Sequence, residues 1–188
     1  GASGMGQARG GPPFAGSEVE HLVGMLDRLR WTFRWKADGL TREQLAVRVG
    51  ASELSIGVLL KHLAYVEDSK FQWCLPARRP MLLDEVPDGT DLRTWSLTVD
   101  ASESAESLYQ RWDAAVARSR ALLAEILADG GLDTPSAIEF DGIVPSKRRF
   151  VCDMIEEYGR HTGHAALIRE AIDGRVGEDP PEDWRPTS

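Results

Sequence analysis

The sequence predicts an all-α fold, a four-helix bundle with a long crossover. Along four separate stretches of the 188-residue chain, apolar residues recur at spacings of three and four, which is typical of amphipathic helices. Capping motifs and glycines mark the ends of these stretches. Residues 78–102 contain Pro80, Pro87, Gly89 and several acids, a composition that predicts a long connection between the second and third helices. Four such helices can bury their apolar stripes only against one another, as they do in a bundle.

The first predicted helix begins after Ser17, where Ser-Glu-Val-Glu forms a capping box that ends at Glu20. Its apolar stripe contains Leu22, Met25, Leu26, Leu29 and Phe33, and Gly39 offers a stop. The preceding residues, 1–16, are rich in glycine and proline and contain no periodic pattern. We expect them to be a disordered or tag-derived segment outside the fold.

The second long helix is predicted from Ser55 onward, after a short connecting helix that a second capping box opens at Thr41. Leu59, Leu63 and Val66 mark its apolar face. His62 lies on the same face, so a histidine is predicted to point toward the core.

The third helix has the clearest pattern, which continues up to Gly130 and Gly131. Its stripe consists of Leu108, Trp112, Ala115, Val116, Ser119, Leu122, Leu123 and Ile126. Residues 137–144 are expected to have extended character. Ser146 is predicted to cap a fourth helix that ends at Gly174, and the proline-rich residues 175–188 are predicted to form a surface tail. The bundle domain therefore spans residues 17–174.

The charge balance argues against a nucleic-acid partner, because 30 acidic residues outnumber 22 Lys and Arg and give a net charge of -8. No apolar run approaches the roughly 20 residues that span a bilayer, and no signal-peptide pattern is found. We therefore expect a cytoplasmic protein without a membrane segment. Cys74 and Cys152 are too few for a disulfide framework and are expected to be buried thiols.

The fourth helix carries a cluster of metal-ligand residue types. Glu157, His161 and His164 fall within about 60° of arc on a helix that turns about 100° per residue. This spacing suits one ion held by imidazoles from successive turns, and His62 would complete a three-histidine set. Three protein ligands leave a coordination position open, as in catalytic sites. The residues alone leave a second interpretation, in which each histidine is hydrogen-bonded within the core.

Glu157 has three roles open to it: a metal ligand, an acceptor that orients a histidine, or half of an ion pair with Arg160. The orienting role is our first expectation. No Ser-His-Asp arrangement with a nucleophile elbow, no Walker loop and no dinucleotide fingerprint occurs in the sequence. The metal cluster is therefore the feature on which a functional hypothesis depends.

Two histidine-bearing parts of the chain carry a family resemblance. RWKADGLTREQL with LLKHLAYVE, and MIEEYGRHTGHAALIREAIDG at 154–174, resemble the actinobacterial mini-circle protein family of the DinB-like (YfiT-like) superfamily of metalloenzymes. The resemblance implies an up-down-down-up bundle with the long crossover between helices 2 and 3, a homodimer, and metal ligands at His62, His161 and His164. Many relatives space the last two ligands as HxxxH or ExxxH, whereas this chain offers HxxH, or Glu157 with His161. The resemblance therefore leaves the identity of the third metal ligand open.

The resemblance also implies a chemistry. Better-studied relatives are metal-dependent enzymes that use low-molecular-weight thiols such as mycothiol or bacillithiol. We accordingly expect a thiol S-transferase or isomerase with one divalent metal per chain, zinc or nickel, a thiol such as mycothiol and an electrophilic small molecule. Glu157 would orient a ligand or handle a proton, and Arg160 would contact an anionic thiol cofactor. The alternatives are a metal-dependent hydrolase, in which Glu157 accepts a proton from water, and a non-catalytic stress-response or binding module.

Overall fold

The structure, a computed structural model, describes residues 11–76 and 78–187. The described residues form α1 (Glu18–Ala37), α2 (Arg42–Leu45), α3 (Ile56–Asp68), α4 (Leu92–Ser96), α5 (Ala105–Ala128) and α6 (Lys147–Asp173), and no β-strand. A π-helical segment, Ser69–Cys74, and a 3₁₀ helix, Met81–Glu85, lie between α3 and α4. The predicted all-α class is confirmed, with the four long helices present as α1, α3, α5 and α6. None of the described helices has the length and apolar character needed to cross a bilayer.

Local sequence signals set the ends of the helices. The Ser17 hydroxyl accepts from the Glu20 amide at 3.1 Å, and the Glu20 carboxylate accepts from the Ser17 amide at 3.0 Å, so the predicted capping box is present. Thr41 and Gln44 form the second box in the same way. Gly174 follows the end of α6 with φ of +79°, a conformation that glycine adopts without steric cost.

The apolar stripe predicted for the third long helix is the buried face of α5. The buried residues of α5 are Leu108, Trp112, Ala115, Val116, Ser119, Leu122, Leu123 and Ile126, the same eight that the spacing selects. The helix begins after Ser104, whose hydroxyl accepts from the Ser107 amide. Periodicity alone therefore identifies the packing face of this helix.

The chain divides into two compact units. One comprises the residues up to Ile56 together with those from Ile155 onward, and the other comprises Gly57–Met154. In the first unit the rings of Phe33 on α1 and Tyr158 on α6 meet edge to face, with centroids 6.1 Å apart. Both side chains are fully buried, so this pair is part of the unit's core.

The C-terminal residues of the first unit contact α1. Asp38 accepts hydrogen bonds from the Thr187 amide at 3.0 Å, the Thr187 hydroxyl at 2.8 Å and the Arg34 guanidinium at 2.8 Å. The ring of Trp184 lies 4.7 Å from that of Trp31. The predicted tail therefore packs on the side of this helix that faces away from its predicted apolar stripe.

The N-terminal segment predicted to be disordered falls partly outside the described residues, since only 11–16 of it are described. These residues form neither helix nor strand. Pro12 lies against α1, because a Cβ on Gly24 would come within 2.7 Å of the Pro12 Cα. Glycine at position 24 is what permits this approach.

In the second unit, Asp68 connects three elements at the junction of α3 and the π-helical segment. The fully buried carboxylate accepts from Arg118 of α5 at 2.9 and 3.2 Å and from the Leu82 amide at 3.4 Å. Burial raises the pKa of Asp68, and the hydrogen bonds and charge of Arg118 offset this only in part. The carboxylate thus ties the crossover to both long helices of the unit.

Residues 137–144 are predicted to have extended character. In the structure they contain one isolated antiparallel bridge, between Phe140 and Ile143, on either side of a two-residue turn. Phe140 and Ile143 exchange backbone hydrogen bonds of 2.8 and 2.9 Å. Asp141 and Gly142 between them have φ of 49° and 79°, the positive values that an Asp-Gly hairpin turn uses.

The prediction that both cysteines are buried is wrong for Cys152. Cys74 is buried, but Cys152 is exposed on α6. The apolar stripe of α6 passes through Phe150 and Met154, and two residues turn a helix by about 200°, which carries Cys152 to the opposite side.

Candidate metal centre

His62 lies half-buried on α3, with a hydrogen bond that fixes its tautomer. Its Nδ1 is 3.2 Å from the hydroxyl of Ser96 on α4. The same hydroxyl donates its one proton to the Arg93 carbonyl at 2.9 Å, so it can only accept from His62. Nδ1 therefore carries the imidazole proton, and Nε2 presents the lone pair that a metal would use.

The second group of candidate residues lies on successive turns of α6. His161 is 8% exposed, and its Nε2 is 3.3 Å from the Glu157 Oε2. Its other nitrogen, Nδ1, is 3.2 Å from the Nδ1 of His164. The two sides of the His161 ring thus contact different side chains, as the i,i+3 and i,i+4 spacings predict.

The environment of His164 favours its neutral form. Burial lowers the pKa of this imidazole, and electrostatic interaction with His161 and Arg160 lowers it further. A neutral imidazole can accept a hydrogen bond at one nitrogen or ligate a metal, whereas an imidazolium can do neither.

His62 offers an imidazole Nε2, and on α6 the His161 Nε2 and the Glu157 Oε2 lie 3.3 Å apart. Two imidazole nitrogens and one carboxylate oxygen are a donor set that zinc uses in catalytic sites, with a position left for water or substrate. The side chains present are therefore chemically suited to a divalent metal. His164, predicted as a ligand, does not belong to this group, and its assignment stays a prediction.

Arg160, predicted to contact a cofactor, is exposed on the same helix. One of its terminal nitrogens lies 2.5 Å from the Glu156 Oε1, and the other lies 3.8 Å from the Glu157 Oε1. Its ion pairs are thus with neighbouring carboxylates of α6. A role toward a cofactor stays a prediction.

Ser96 is the positioning residue that sequence reasoning missed. It lies at the end of α4, inside the crossover that was predicted only as an irregular connection. A five-residue helix carries too few turns for an apolar period, so no pattern marks this serine. The Asp91 side chain, which accepts from the Thr94 amide as an N-cap, is the one signal that indicates a helix there.

The described residues form a helical fold that carries a candidate metal site on α6. A model of the mycothiol-S-transferase family matches residues 21–174, so the chain belongs to this family. The predicted membership of the DinB-like superfamily is thereby confirmed.

Comparison with solved structures supports the same fold. A crystal structure described as a conserved protein of locus from Enterococcus faecalis is similar with a TM-score of 0.64 and 18% sequence identity. The similarity covers 86% of this chain and 100% of that one. At this identity the likeness concerns the fold alone. A comparison with curated proteins gave no significant match.

Proposed function

We propose that this chain is a metal-dependent mycothiol S-transferase. The observation that carries the proposal is the family match over residues 21–174, which implies a thiol substrate. The metal is supported by the chemistry of the proposed donor atoms, because two imidazole nitrogens, from His62 and His161, and a carboxylate oxygen, from Glu157, suit a divalent ion. We further propose that the metal is a single zinc or nickel ion per chain, because imidazole nitrogen suits both.

In this proposal the ligands are His62, His161 and Glu157. His62 would bind through Nε2, because Nδ1 donates to Ser96. His161 would bind through the Nε2 that faces Glu157, with Nδ1 donating to His164. Metal-bound histidines commonly donate the second ring nitrogen in this way, which fixes the orientation of the ring. His164 is then the orienting partner, with a direct ligand role as the alternative.

The proposed reaction is transfer of a thiol sulfur to an electrophilic small molecule. A divalent metal at these ligands would lower the pKa of the thiol and favour the thiolate. The sulfur forms a bond to the electrophilic carbon, the thiol proton passes to solvent, and the leaving group departs with its bonding electrons. Arg160, at the exposed end of the cluster, is proposed to attract an anionic group of the thiol compound.

The proposal extends to the setting of the protein. A reduced low-molecular-weight thiol is available in the cytosol, so we propose a cytoplasmic location. We also propose a homodimer, which light scattering coupled to size-exclusion chromatography would test. A mass equal to one chain of 20.7 kDa would contradict it.

The transferase proposal is tested on protein purified without chelators. We expect about one equivalent of zinc or nickel per chain, and a thioether product when mycothiol and an alkyl halide or epoxide are supplied. His62→Ala should lose both the metal and the product. Glu156→Gln, which neutralises an exposed carboxylate beside the cluster, is the matched control and should retain both.

Three outcomes would contradict the proposal. A metal-loaded protein that does not react with thiols would exclude the transferase. Turnover of a substrate without any thiol would indicate the hydrolase. Absence of bound metal even after reconstitution would favour the non-catalytic binding module.

A further inference from the structure

The second unit contains a pocket of about 470 Å³ between the crossover and two long helices. Pockets of roughly 300–1,000 Å³ hold small molecules in other proteins. Lys61 of α3, Trp95 of α4 and Arg111 of α5 line it, together with threonines of the crossover. The lining combines an aromatic ring with many polar groups.

Arg111 lines this pocket and has one buried donor that lacks a hydrogen-bond partner among the described residues. Its side chain is 10% exposed, and two of its nitrogens face carboxylates, Nε with Glu85 at 2.6 Å and Nη2 with Glu103 at 3.1 Å. The third nitrogen, Nη1, is buried and has no hydrogen-bond partner among the described residues. A buried donor without an acceptor is costly, so a ligand oxygen that accepts from Nη1 would be stabilised.

The charges of the pocket disfavour an anionic ligand. Lys61 is buried and donates to the Glu103 carboxylate at 2.9 Å and to the Thr98 carbonyl at 2.7 Å. Both cations of the lining are thus already paired. The lining carries two positive and three negative groups, since Glu85, Asp100 and Glu103 face Lys61 and Arg111. This excess of one negative charge repels carboxylates and phosphates.

The remaining surface suits hydroxyl groups and a carbon skeleton. Trp95 is half-buried, and Lys61 Nζ lies 4.2 Å from its ring centroid. An indole ring offers apolar contact area while its neighbours supply hydrogen bonds. Thr90, Thr94, Thr98 and Ser102 add hydroxyl groups or backbone atoms around the ring.

We propose that this pocket binds a neutral, hydroxyl-rich small molecule. One ligand oxygen accepts from Arg111 Nη1, and the carbon skeleton packs against the accessible part of Trp95. This site is additional to the metal ligands, because the consecutive residues Lys61 and His62 point about 100° apart on α3. Binding here requires no metal, so its test is independent of the transferase proposal.

The test uses metal-free protein and two probes with the same six-carbon chain, sorbitol as the neutral polyol and gluconate as its carboxylate. In ¹⁵N-resolved NMR we expect saturable shifts of the Trp95 indole signal with sorbitol, at a dissociation constant on the order of a few millimolar. Gluconate should bind at least about tenfold more weakly. Trp95→Phe assigns the indole signal among the six tryptophans.

Two variants test the named contacts. Arg111→Lys keeps the charge toward Glu85 and Glu103 but removes Nη1, and it should weaken sorbitol binding about tenfold. Arg120→Lys, at an exposed position of the same helix, is the matched control and should bind as wild type. Trp95→Leu leaves the ion pairs intact and should weaken binding in ligand-observed NMR, which keeps the test valid if Arg111→Lys does not fold.

The proposal is overturned by any of three results. These are no saturable shift with sorbitol, gluconate binding as tightly as sorbitol, or unchanged binding in folded Arg111→Lys protein.

Discussion

Replacing Glu157 by glutamine tests which side chain completes the metal site. The substitution keeps the size of the side chain and removes the negative charge of the carboxylate, whose Oε2 lies 3.3 Å from the His161 Nε2 in the wild type. Loss of an outer hydrogen-bond partner typically costs 10–100-fold in metal affinity, so loss of a charged ligand should exceed about 100-fold. That ratio corresponds to more than about 2.7 kcal/mol.

His164→Ala supplies the contrast. This imidazole reaches His161 through an Nδ1 to Nδ1 contact of 3.2 Å, so in our proposal it orients a ligand without binding the metal. Removing this imidazole should lower the affinity for the metal by about 10–100-fold, or about 1.4–2.7 kcal/mol. The expected order of affinities is wild type, then His164→Ala, then Glu157→Gln.

The assay is competitive titration of zinc and nickel against a chelator of known affinity, with circular dichroism to confirm folding. Glu156→Gln removes a charge one residue away, where the carboxylate is exposed and pairs with Arg160, and it should change the affinity less than about threefold. The reverse order, with His164→Ala the weaker binder, would refute the Glu157 assignment and restore His164 as the third ligand. Equal, small effects in both variants would refute the site on α6.

Three further predictions concern stability. Asp38→Asn should lower the free energy of unfolding by about 2–4 kcal/mol in urea denaturation, because it leaves the buried Arg34 and the Thr187 donors without their charged acceptor. Burial alone raises the pKa of Asp38, but the Thr187 and Arg34 contacts outweigh it and the net pKa is lowered. The stability difference between wild type and Asp38→Asn should therefore be present above about pH 4 and shrink as the pH falls through the lowered pKa; a constant difference from pH 7 to pH 2 would refute this. Asp68→Ala should lower the free energy of unfolding by about 2–4 kcal/mol in the same measurement, because Arg118 loses both carboxylate contacts. Asp68→Asn should lower it less, since the raised pKa of Asp68 already reflects the cost of burying its charge.

The helices could be predicted because their signals are local. A capping box needs only residues three apart, and the stripe of α5 needs only its own period, so both appear in the structure as the sequence indicates. The π-helical segment and the 3₁₀ helix lie instead beside the contacts of Asp68 with Leu82 and Arg118. Such contacts join residues 14 to 50 positions apart, and no local pattern encodes them.

Part of the polar side of α1 is buried, and the local sequence pattern does not predict this burial. Arg30 and Arg34 are each 2% exposed, although helical periodicity places both outside the apolar stripe. The last described residues of the chain account for part of this, because Thr187 and Trp184 reach Asp38 and the helix from about 150 positions away. A proline-rich segment gives no periodic signal of docking, so its contacts emerge only in the folded chain.

The candidate metal ligands show why residue spacing can identify the region of a site but not every ligand in it. On a helix both i,i+3 and i,i+4 neighbours are adjacent, so His161 is next to His164 and Glu157 alike. Which of these two neighbours could share a metal ion with His161 depends on which ring nitrogen faces each of them. The side-chain torsion angles determine this. In the structure Nε2 faces the carboxylate and Nδ1 faces the second imidazole. Since the nitrogen that binds a metal leaves the other to donate a hydrogen bond, our proposal gives both neighbours a role from one ring orientation, Glu157 as a ligand and His164 as the partner of the orienting hydrogen bond.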